Sequence, residues 1–291
     1  MILEISLLIS FLTTFLITPV MIKFLLRIGV IAIDQHKKNK PILPSSGGLC
    51  AGAGVLAGIM TYIGLTTFLT GVVSEAVDFL AIISSVLIVT FIGLFDDLNV
   101  TSKRIVVKNV KDIRIGLPQW VKPLLTLPAA IPLMVISAGN STIALPFIGL
   151  INLGIVYPLL VIPLVLVCIS NAINILGGFN GAEAGMGIVY LLSLGIFSVL
   201  TNNIAAPIFL IGAVSLLAFI IYNWYPAKIL PGDSLTYLIG SLIASGVIIG
   251  NMEKLGFVLL TPFIIELFLK LRSRLNASSL GKLGKDGKLD P

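Results

Sequence analysis

Long apolar runs recur along the chain and constrain its fold more than any other feature. Nine of them have the length of about 17 to 25 residues with which a helix crosses a bilayer. They lie near residues 2–26, 48–72, 78–95, 122–138, 152–170, 185–201, 204–222, 234–250 and 255–271. Hydrophobic residues make up 57% of the chain and charged residues only 11%, which excludes an ordinary soluble domain. The runs predict an all-α polytopic membrane protein with about nine transmembrane helices.

The first apolar run is predicted to stay in the membrane. It carries Glu4 near its start and lacks a small-residue cleavage site, so it does not resemble a signal peptide. We expect one transmembrane helical domain over residues 1–272. Residues 273–291, rich in Gly, Ser and Lys, are expected to form a cytoplasmic tail or a truncated last cytoplasmic loop, with a hairpin over 282–289.

Basic residues predict the orientation, because loops rich in Lys and Arg stay on the cytoplasmic side. With the N-terminus outside, all of the 19 Lys and Arg residues except Lys254 lie at or near the cytoplasmic boundary. Their confinement to short loops argues against nucleic-acid binding. It leaves three readings of the net charge of +6: anionic lipid headgroups, a phosphorylated substrate, or topology alone.

Cysteine and histidine are too sparse for several kinds of site. Cys50 and Cys168 lie in apolar runs without CxxC spacing, and His36 is the single histidine. A disulfide, a zinc cluster and a histidine-based triad are therefore not expected.

A polar, glycine-rich segment follows the fifth apolar run. Residues 171–185 read Asn-Ala-Ile-Asn-Ile-Leu-Gly-Gly-Phe-Asn-Gly-Ala-Glu-Ala-Gly. Asn171 and Asn174 share one face if the helix continues through them, and the glycines allow close approach to a ligand. Asn180 and Glu183 add further polar groups. This segment predicts a phosphate or metal site where a membrane helix ends.

Two adjacent carboxylates, Asp96 and Asp97, end the third apolar run. Ionisable residues at a membrane helix end are functional by default, although a solvated helix end is the alternative. Neighbouring helical residues point about 100° apart, so the two acids need not share a role.

Other polar residues stand at the same predicted side of the membrane. Lys122 opens the fourth run and is expected either to extend outward to the interface or to reach a phosphate. Asp233 opens the eighth run, where it either faces a cavity or caps the helix. Arg272 and Arg274 follow the ninth run and suit phosphate contacts. Glu266 and Lys270 are spaced to pair within one helix.

Together these residue types indicate a chemistry. Hard oxygen ligands on separate helices, few in number and surrounded by cations, suit Mg²⁺ that shares its ligands with a diphosphate. Cations nearby can neutralise transferring phosphoryl oxygens. The pattern predicts metal-dependent phosphoryl transfer at a membrane surface.

The chain resembles a known family over nearly its whole length. The matching motifs are Pro-x-x-Gly-Gly ending at Gly48, Gly-x-x-Asp-Asp ending at Asp97, the long segment 171–185, Gly232-Asp233, and Arg-x-Arg from Arg272. They resemble the polyprenyl-phosphate N-acetylhexosamine-1-phosphate transferases (glycosyltransferase family 4), closest to the archaeal and eukaryotic dolichyl-phosphate branch. The segment 171–185 is the specific motif, and the others are weak singly.

The resemblance implies an activity and partners. Such enzymes transfer N-acetylhexosamine-1-phosphate, typically from UDP-GlcNAc, to a polyprenyl or dolichyl phosphate and release UMP. It implies Mg²⁺, with Mn²⁺ as an alternative, and a cell membrane in archaea or the endoplasmic reticulum membrane in eukaryotes. The oligomeric state stays open, with a homodimer as one expectation.

The resemblance also implies roles for individual residues. Asn174 and Asp233 correspond to metal ligands. The remaining residues fall into a catalytic group of Asp96, Asp97 and Lys122 and a substrate-binding group of Gly48, Asn171, Gly178, Asn180, Glu183, Arg272 and Arg274. Within these groups, Lys122 and the two arginines resemble diphosphate contacts, Gly178 and Asn180 uridine-side or diphosphate-side residues, and one of the aspartates the group that orients the lipid phosphate.

Two features depart from the family pattern, and one rival function stays open. The bacterial cell-wall branch carries a histidine cluster in its last cytoplasmic loop, which this chain does not match. Members commonly have a tenth span, so we expect this chain either to be truncated or to lack that span. The rival is a secondary transporter of a phosphorylated or anionic solute, although transporter sites lie at the bilayer midplane.

Overall fold

The computed structural model describes residues 1–34, 37, 39–98, 120–145, 149–272, 282–283 and 289–290. His36 and Arg274 lie outside these described residues, and so does the loop 99–119.

Within the described ranges the chain is mostly helical. The α-helices are α1 (Ile2–Ile28), α2 (Gly48–Thr70), α3 (Ala76–Leu98), α4 (Val121–Thr126), α5 (Ile131–Val135), α6 (Ile162–Ile173), α7 (Ala182–Leu200), α8 (Ala206–Asn223), α9 (Gly232–Ile249), α10 (Glu253–Leu259) and α11 (Thr261–Arg272). Three antiparallel pairs of short strands join β1 (Ile31–Ile33) to β2 (Ile42–Pro44), β3 (Thr142–Leu145) to β4 (Gly149–Asn152), and β5 (Lys282–Leu283) to β6 (Leu289–Asp290). The last pair confirms the predicted C-terminal hairpin.

Six of the described helices are long and apolar enough to cross a membrane, namely α1, α2, α3, α7, α8 and α9. Two shorter apolar helical segments, Val121–Val135 and Tyr157–Ile173, lie between them in sequence. This confirms the predicted all-α polytopic class. The count of about nine spans and the orientation with the N-terminus outside stay predictions.

Prolines change the helix type within the two shorter segments. The fourth predicted span forms α4, a 3₁₀ turn over Leu127–Ala130 and then α5. The fifth opens with a π-helical turn over Tyr157–Val161 before α6. Proline lacks an N–H and clashes with the preceding turn, so such departures are expected where prolines recur. The ninth predicted run divides into α10 and α11 close to Pro262, a break that was not predicted.

Helix α9 lies at the centre of the bundle. Of the 18 residues of α9, 89% are buried inside the protein. In an apolar stretch of the same length in α1, only 22% are buried, so α1 lies at the outside of the bundle. Small residues make this possible because they let neighbouring backbones approach closely. A Cβ on Gly240 would lie 2.5 Å from the Ser170 Cα of α6, a distance that real side chains do not tolerate.

The loops at the α9 start are tied together by their backbones. Gly47 N–H donates to the Leu230 carbonyl at 3.1 Å, and Leu230 N–H donates to the Pro44 carbonyl at 2.8 Å. The loop between α1 and α2 therefore lies against the loop that precedes α9. This brings two distant parts of the sequence to one end of the bundle.

Candidate active site

The start of α9 packs against α2 and α3 through glycines. A Cβ on Gly93 would lie 2.6 Å from Ser234 Cα, and one on Gly48 would overlap the backbone of Ser234 and Leu235. Gly48, a predicted substrate-binding residue, is therefore in backbone contact with α9 and is buried. Backbone contact leaves no room for a side chain at either glycine and sets the spacing of the three helices.

Asp97 holds the first turn of α9. Its Oδ1 accepts a hydrogen bond from the Asp233 N–H at 2.8 Å, and its Oδ2 accepts from the Ser234 N–H at 3.3 Å and from Ser46 Oγ at 2.7 Å. The first N–H groups of a helix have no partner within the helix, and a carboxylate there also complements the helix dipole. Asp97 thus caps α9 from a neighbouring helix. The alternative in which Asp233 caps its own helix is wrong, because no side chain of α9 makes that bond.

Asp96 and Asp97 have different partners, as the step of about 100° between neighbouring residues predicts. Asp96 is only 3% exposed and forms an ion pair with Lys122. It also contacts Asp233. The adjacent acids therefore divide between the charged cluster and the end of α9.

Lys122 lies between two carboxylates. Its Nζ pairs with Asp96 and lies 2.8 Å from Asp233 Oδ2, and its side chain is 20% exposed. It points into the protein instead of extending to the membrane interface. Asp97 bonds to the backbone N–H of Asp233 and not to Lys122, so two carboxylates flank the one ammonium group. This cluster carries a formal negative charge that attracts a cation.

Asn171 and Asn174 share a face, as their spacing predicts. Helix α6 ends at Ile173, and Asn174 still has helical backbone angles of φ −73° and ψ −11°. Both amides contact Tyr237 of α9. Asn171 also donates to the Thr126 hydroxyl at 3.1 Å, so it joins α6 to α4 and α9. Asn174 lies further along and faces the Asp233 carboxylate.

The rest of the 171–185 segment folds back on itself. Glu183 Oε1 accepts a hydrogen bond from the Gly178 N–H at 2.6 Å, and Glu183 is only 5% exposed. Gly178 has φ +119°, a conformation that residues with a side chain rarely adopt. Asn180 Nδ2 donates to Asp34 Oδ2 at 3.1 Å. Glu183 therefore fixes the glycine turn that carries Asn180.

A cavity of about 350 Å³ joins these elements. Among the predicted site residues, its lining contains Asn174, Gly178, Asn180, Glu183 and Asp233. The lining also contains residues that sequence reasoning did not assign, chiefly Ile33, Asp34, Ser45, Phe179, Leu230 and Thr236. Metal-side and substrate-side residues predicted from distant motifs thus meet at one cavity.

Two arginines predicted to contact phosphate are not brought into this cavity by the described structure. Arg272 ends α11 and is exposed, and Arg274 lies outside the described residues. Lys270 instead reaches the site region, where its Nζ donates to the Ile175 carbonyl at 2.6 Å. It also lies 3.7 Å from Glu266. The pair does more than neutralise itself, because Lys270 fastens α11 to the residue that follows Asn174.

Sequence reasoning missed Asp34 and Ser46. Asp34 is 4% exposed and follows a short strand, and the acidic residue that opens an otherwise basic loop was its only signal. Ser46 stands within the Pro-x-x-Gly-Gly motif, but nothing in its sequence indicates that its hydroxyl meets Asp97. Both contacts depend on the fold of the first loop.

The donor set fits a magnesium ion that shares its ligands with substrate. Asp233 and Asn174 supply a carboxylate and an amide oxygen, and Mg²⁺ binds through one or two carboxylates while phosphates and waters complete its shell. Among the described residues no three His, Cys, Asp or Glu side chains form a metal-binding cluster. A dedicated all-protein cage of the calcium or zinc type is thus not seen there.

Fold and site define a multi-pass membrane protein with a polar, carboxylate-bearing cavity at one end of its helix bundle. Residues 79–251 match the family described as glycosyl transferase family 4. The chain belongs to this family.

Several relatives align over most of the chain. A Saccharolobus solfataricus protein assigned as a UDP-N-acetylglucosamine–dolichyl-phosphate N-acetylglucosaminephosphotransferase is 38% identical over 97% of this chain and 82% of its own length. A Sulfolobus acidocaldarius protein of the same name is 34% identical over 98% and 82%. A Bacillus subtilis protein assigned as an undecaprenyl-phosphate N-acetylglucosaminyl 1-phosphate transferase is 29% identical over 90% and 67%.

Proposed function

We propose that this protein transfers N-acetylhexosamine-1-phosphate, typically GlcNAc-1-phosphate, from the UDP-sugar to a polyprenyl phosphate of the dolichyl type, and releases UMP. The names of the archaeal relatives support this reaction. The observation that carries it is the cavity where Asn174 faces Asp233 beside Lys122. Oxygen ligands and a cation at one membrane-helix end suit a diphosphate held by a divalent metal.

The reaction needs little covalent chemistry from the protein. An oxygen of the lipid phosphate forms a bond to the sugar-bearing phosphorus of the UDP-sugar, and the bond from that phosphorus to the oxygen of UMP breaks. The lipid phosphate is already largely ionised near neutral pH, since its second pKa is about 6. A base is therefore needed less than positioning, and we favour direct in-line attack over a covalent aspartyl intermediate.

The chain's own residues divide the work of positioning. Asn174 and Asp233 would hold Mg²⁺, which when bound neutralises diphosphate charge. Lys122 supplies a further positive charge, and Asp96 keeps its ammonium group directed inward. Asp97 acts indirectly, because it fixes the α9 turn that carries Asp233.

The test is UMP release by purified protein in detergent. UDP-GlcNAc, a polyprenyl phosphate and Mg²⁺ should give UMP and a lipid-linked sugar in equal amounts. Chelation should stop the reaction, and added Mg²⁺, or Mn²⁺ in its place, should restore it. A panel of UDP-sugars and of lipids differing in length and saturation then defines the substrates.

The rival transporter function is tested with the same preparation. Reconstituted liposomes should show no uptake of UDP-sugar or phosphorylated solute that depends on Asp233. Solute flux without UMP release would replace the transferase by the transporter.

A further inference from the structure

A partly buried hydrogen bond at the cavity joins the first loop to Asn180. Asp34, at the end of β1, accepts a hydrogen bond from Asn180 Nδ2 at 3.1 Å. The two residues are far apart in sequence, and both line the cavity. A backbone hydrogen bond fixes the position of Asp34, because its N–H donates to the Pro41 carbonyl at 3.0 Å across the first hairpin. The first loop therefore holds a carboxylate against the amide of Asn180.

This contact determines which way the Asn180 amide faces. An ionised carboxylate only accepts hydrogen bonds, whereas an amide has a donating NH₂ group and an accepting oxygen. Asp34 must therefore face the NH₂ group of Asn180. Among the contacts that the described residues make, the amide oxygen of Asn180 has no donor, so the position presents an acceptor to a ligand in the cavity.

The surroundings of Asn180 suit a flat heterocycle. Ile33 and Leu230 contribute apolar side chains to the same lining, and Gly178 contributes backbone without a side chain. Asn174 and Asp233 form the other polar pair of the cavity. A nucleotide can place its phosphates beside Asn174 and Asp233 and its base beside Asn180.

An acceptor at this position distinguishes pyrimidines. Uracil carries a donor at N3, whereas cytosine carries an acceptor there, so cytosine would leave two acceptors facing each other. Resting on the proposed function, we propose that Asp34 is a positioning residue that fixes the Asn180 amide as an acceptor for uracil N3–H. It thereby makes the cavity select uracil over cytosine nucleotides.

The test measures binding of UMP and CMP to the full chain by calorimetry with Mg²⁺ present. Wild-type protein should bind UMP at least about tenfold more tightly than CMP, the size expected of one hydrogen bond matched or mismatched. In Asp34→Asn the new amide can either accept or donate, so the ratio of the two dissociation constants should fall close to one. The double variant Asp34→Asn with Asn180→Asp reverses the two groups, keeps the total charge, and should restore the preference.

The outcomes separate positioning from simple tethering. If Asp34→Asn weakens UMP and CMP equally, Asp34 only tethers the loop and the inference fails. Equal affinity of wild-type protein for both nucleotides would also overturn it, whether or not any variant folds. Failure of UMP release with an intact UMP preference would remove the proposed reaction but leave this inference standing. Asp78→Asn, at the far end of α3, is the matched control and should keep the wild-type ratio.

Discussion

The two ends of α9 use polar side chains in opposite ways. At its start, Asp96, Lys122 and Asp233 gather beside a cavity of about 350 Å³. Near its other end, Tyr157 donates to Glu253 Oε1 at 2.5 Å, and the Asn203 amide donates to the Gly250 carbonyl at 2.8 Å. The contacts at the far end join loops and helices to one another. Those at the start surround a space that a ligand can enter.

The difference shows that a polar residue at the end of a membrane helix is not by itself a sign of chemistry. Tyr157 is 1% exposed and its hydroxyl is satisfied by a single acceptor, which is what packing requires. At the start of α9, several like charges are kept close together, and packing alone does not require this arrangement. Changes at the two ends should therefore differ in whether they alter turnover or only stability.

The largest effect is expected for Asp233→Asn. It removes a charge that faces both the cavity and Lys122, so turnover should fall on the order of 10³-fold. UMP release measures the loss. Asp78→Asn is the control, since Asp78 lies in α3 about 27 Å along the helix from Asp96, at 1.5 Å per residue. Wild-type turnover in Asp233→Asn would remove Asp233 from the site.

Asp97→Asn should act first on stability. The new amide can accept from fewer of the three donors now bonded to Asp97, so we expect a loss of about 1–3 kcal/mol in the free energy of unfolding. Thermal unfolding in detergent measures it, and turnover should fall in parallel. Ser46→Ala, which removes one of these donors, should cost about 1 kcal/mol. An unchanged unfolding temperature with lost turnover would instead place Asp97 among the reacting groups, as the sequence predicted.

Lys270→Met should lower turnover about tenfold, which is the usual effect of removing a residue that holds a metal ligand in place without binding the metal itself. The change removes the bond to the Ile175 carbonyl, next to Asn174, and keeps the apolar stem. Titration of Mg²⁺ should show a raised half-saturating concentration. Lys254→Met, in α10 near the opposite end of α9, is the control and should leave that concentration unchanged.

Tyr157→Phe should have the smallest effect on activity. It removes one hydrogen bond at the far end of α9, so the unfolding free energy should fall by about 1 kcal/mol while turnover stays within about twofold. Thermal unfolding and UMP release on the same preparation measure both. A large loss of turnover would contradict the division between the two ends.

Much of the site could be predicted because its residues stand at the ends of apolar runs. Asn174 and Asp233 were predicted as a pair by residue type and resemblance, and the fold does bring them together. The division between Asp96 and Asp97 followed from helix geometry. Their particular partners did not, because those depend on how α3 packs against α9.

Contacts made by loops could not be predicted in the same way. Asp34 meets Asn180 because β1 and β2 pair and place Asp34 in the cavity lining. A short loop has little hydrophobic periodicity from which this could be predicted. The bond from Lys270 to Ile175 depends on the direction of α11 after the break near Pro262. The helical spans were more readable, since bilayer thickness imposes their length.

The glycine contacts at the start of α9 affect how the geometry of the site changes with temperature. Gly48 and Gly93 bring main chain against main chain, and main-chain atoms have no rotamers to sample. The separation between Asp97 and the α9 turn should therefore vary little as side chains become more mobile on warming. A single methyl group at either glycine would act as a wedge and displace Asp233 from Lys122 even though no charged group had been changed.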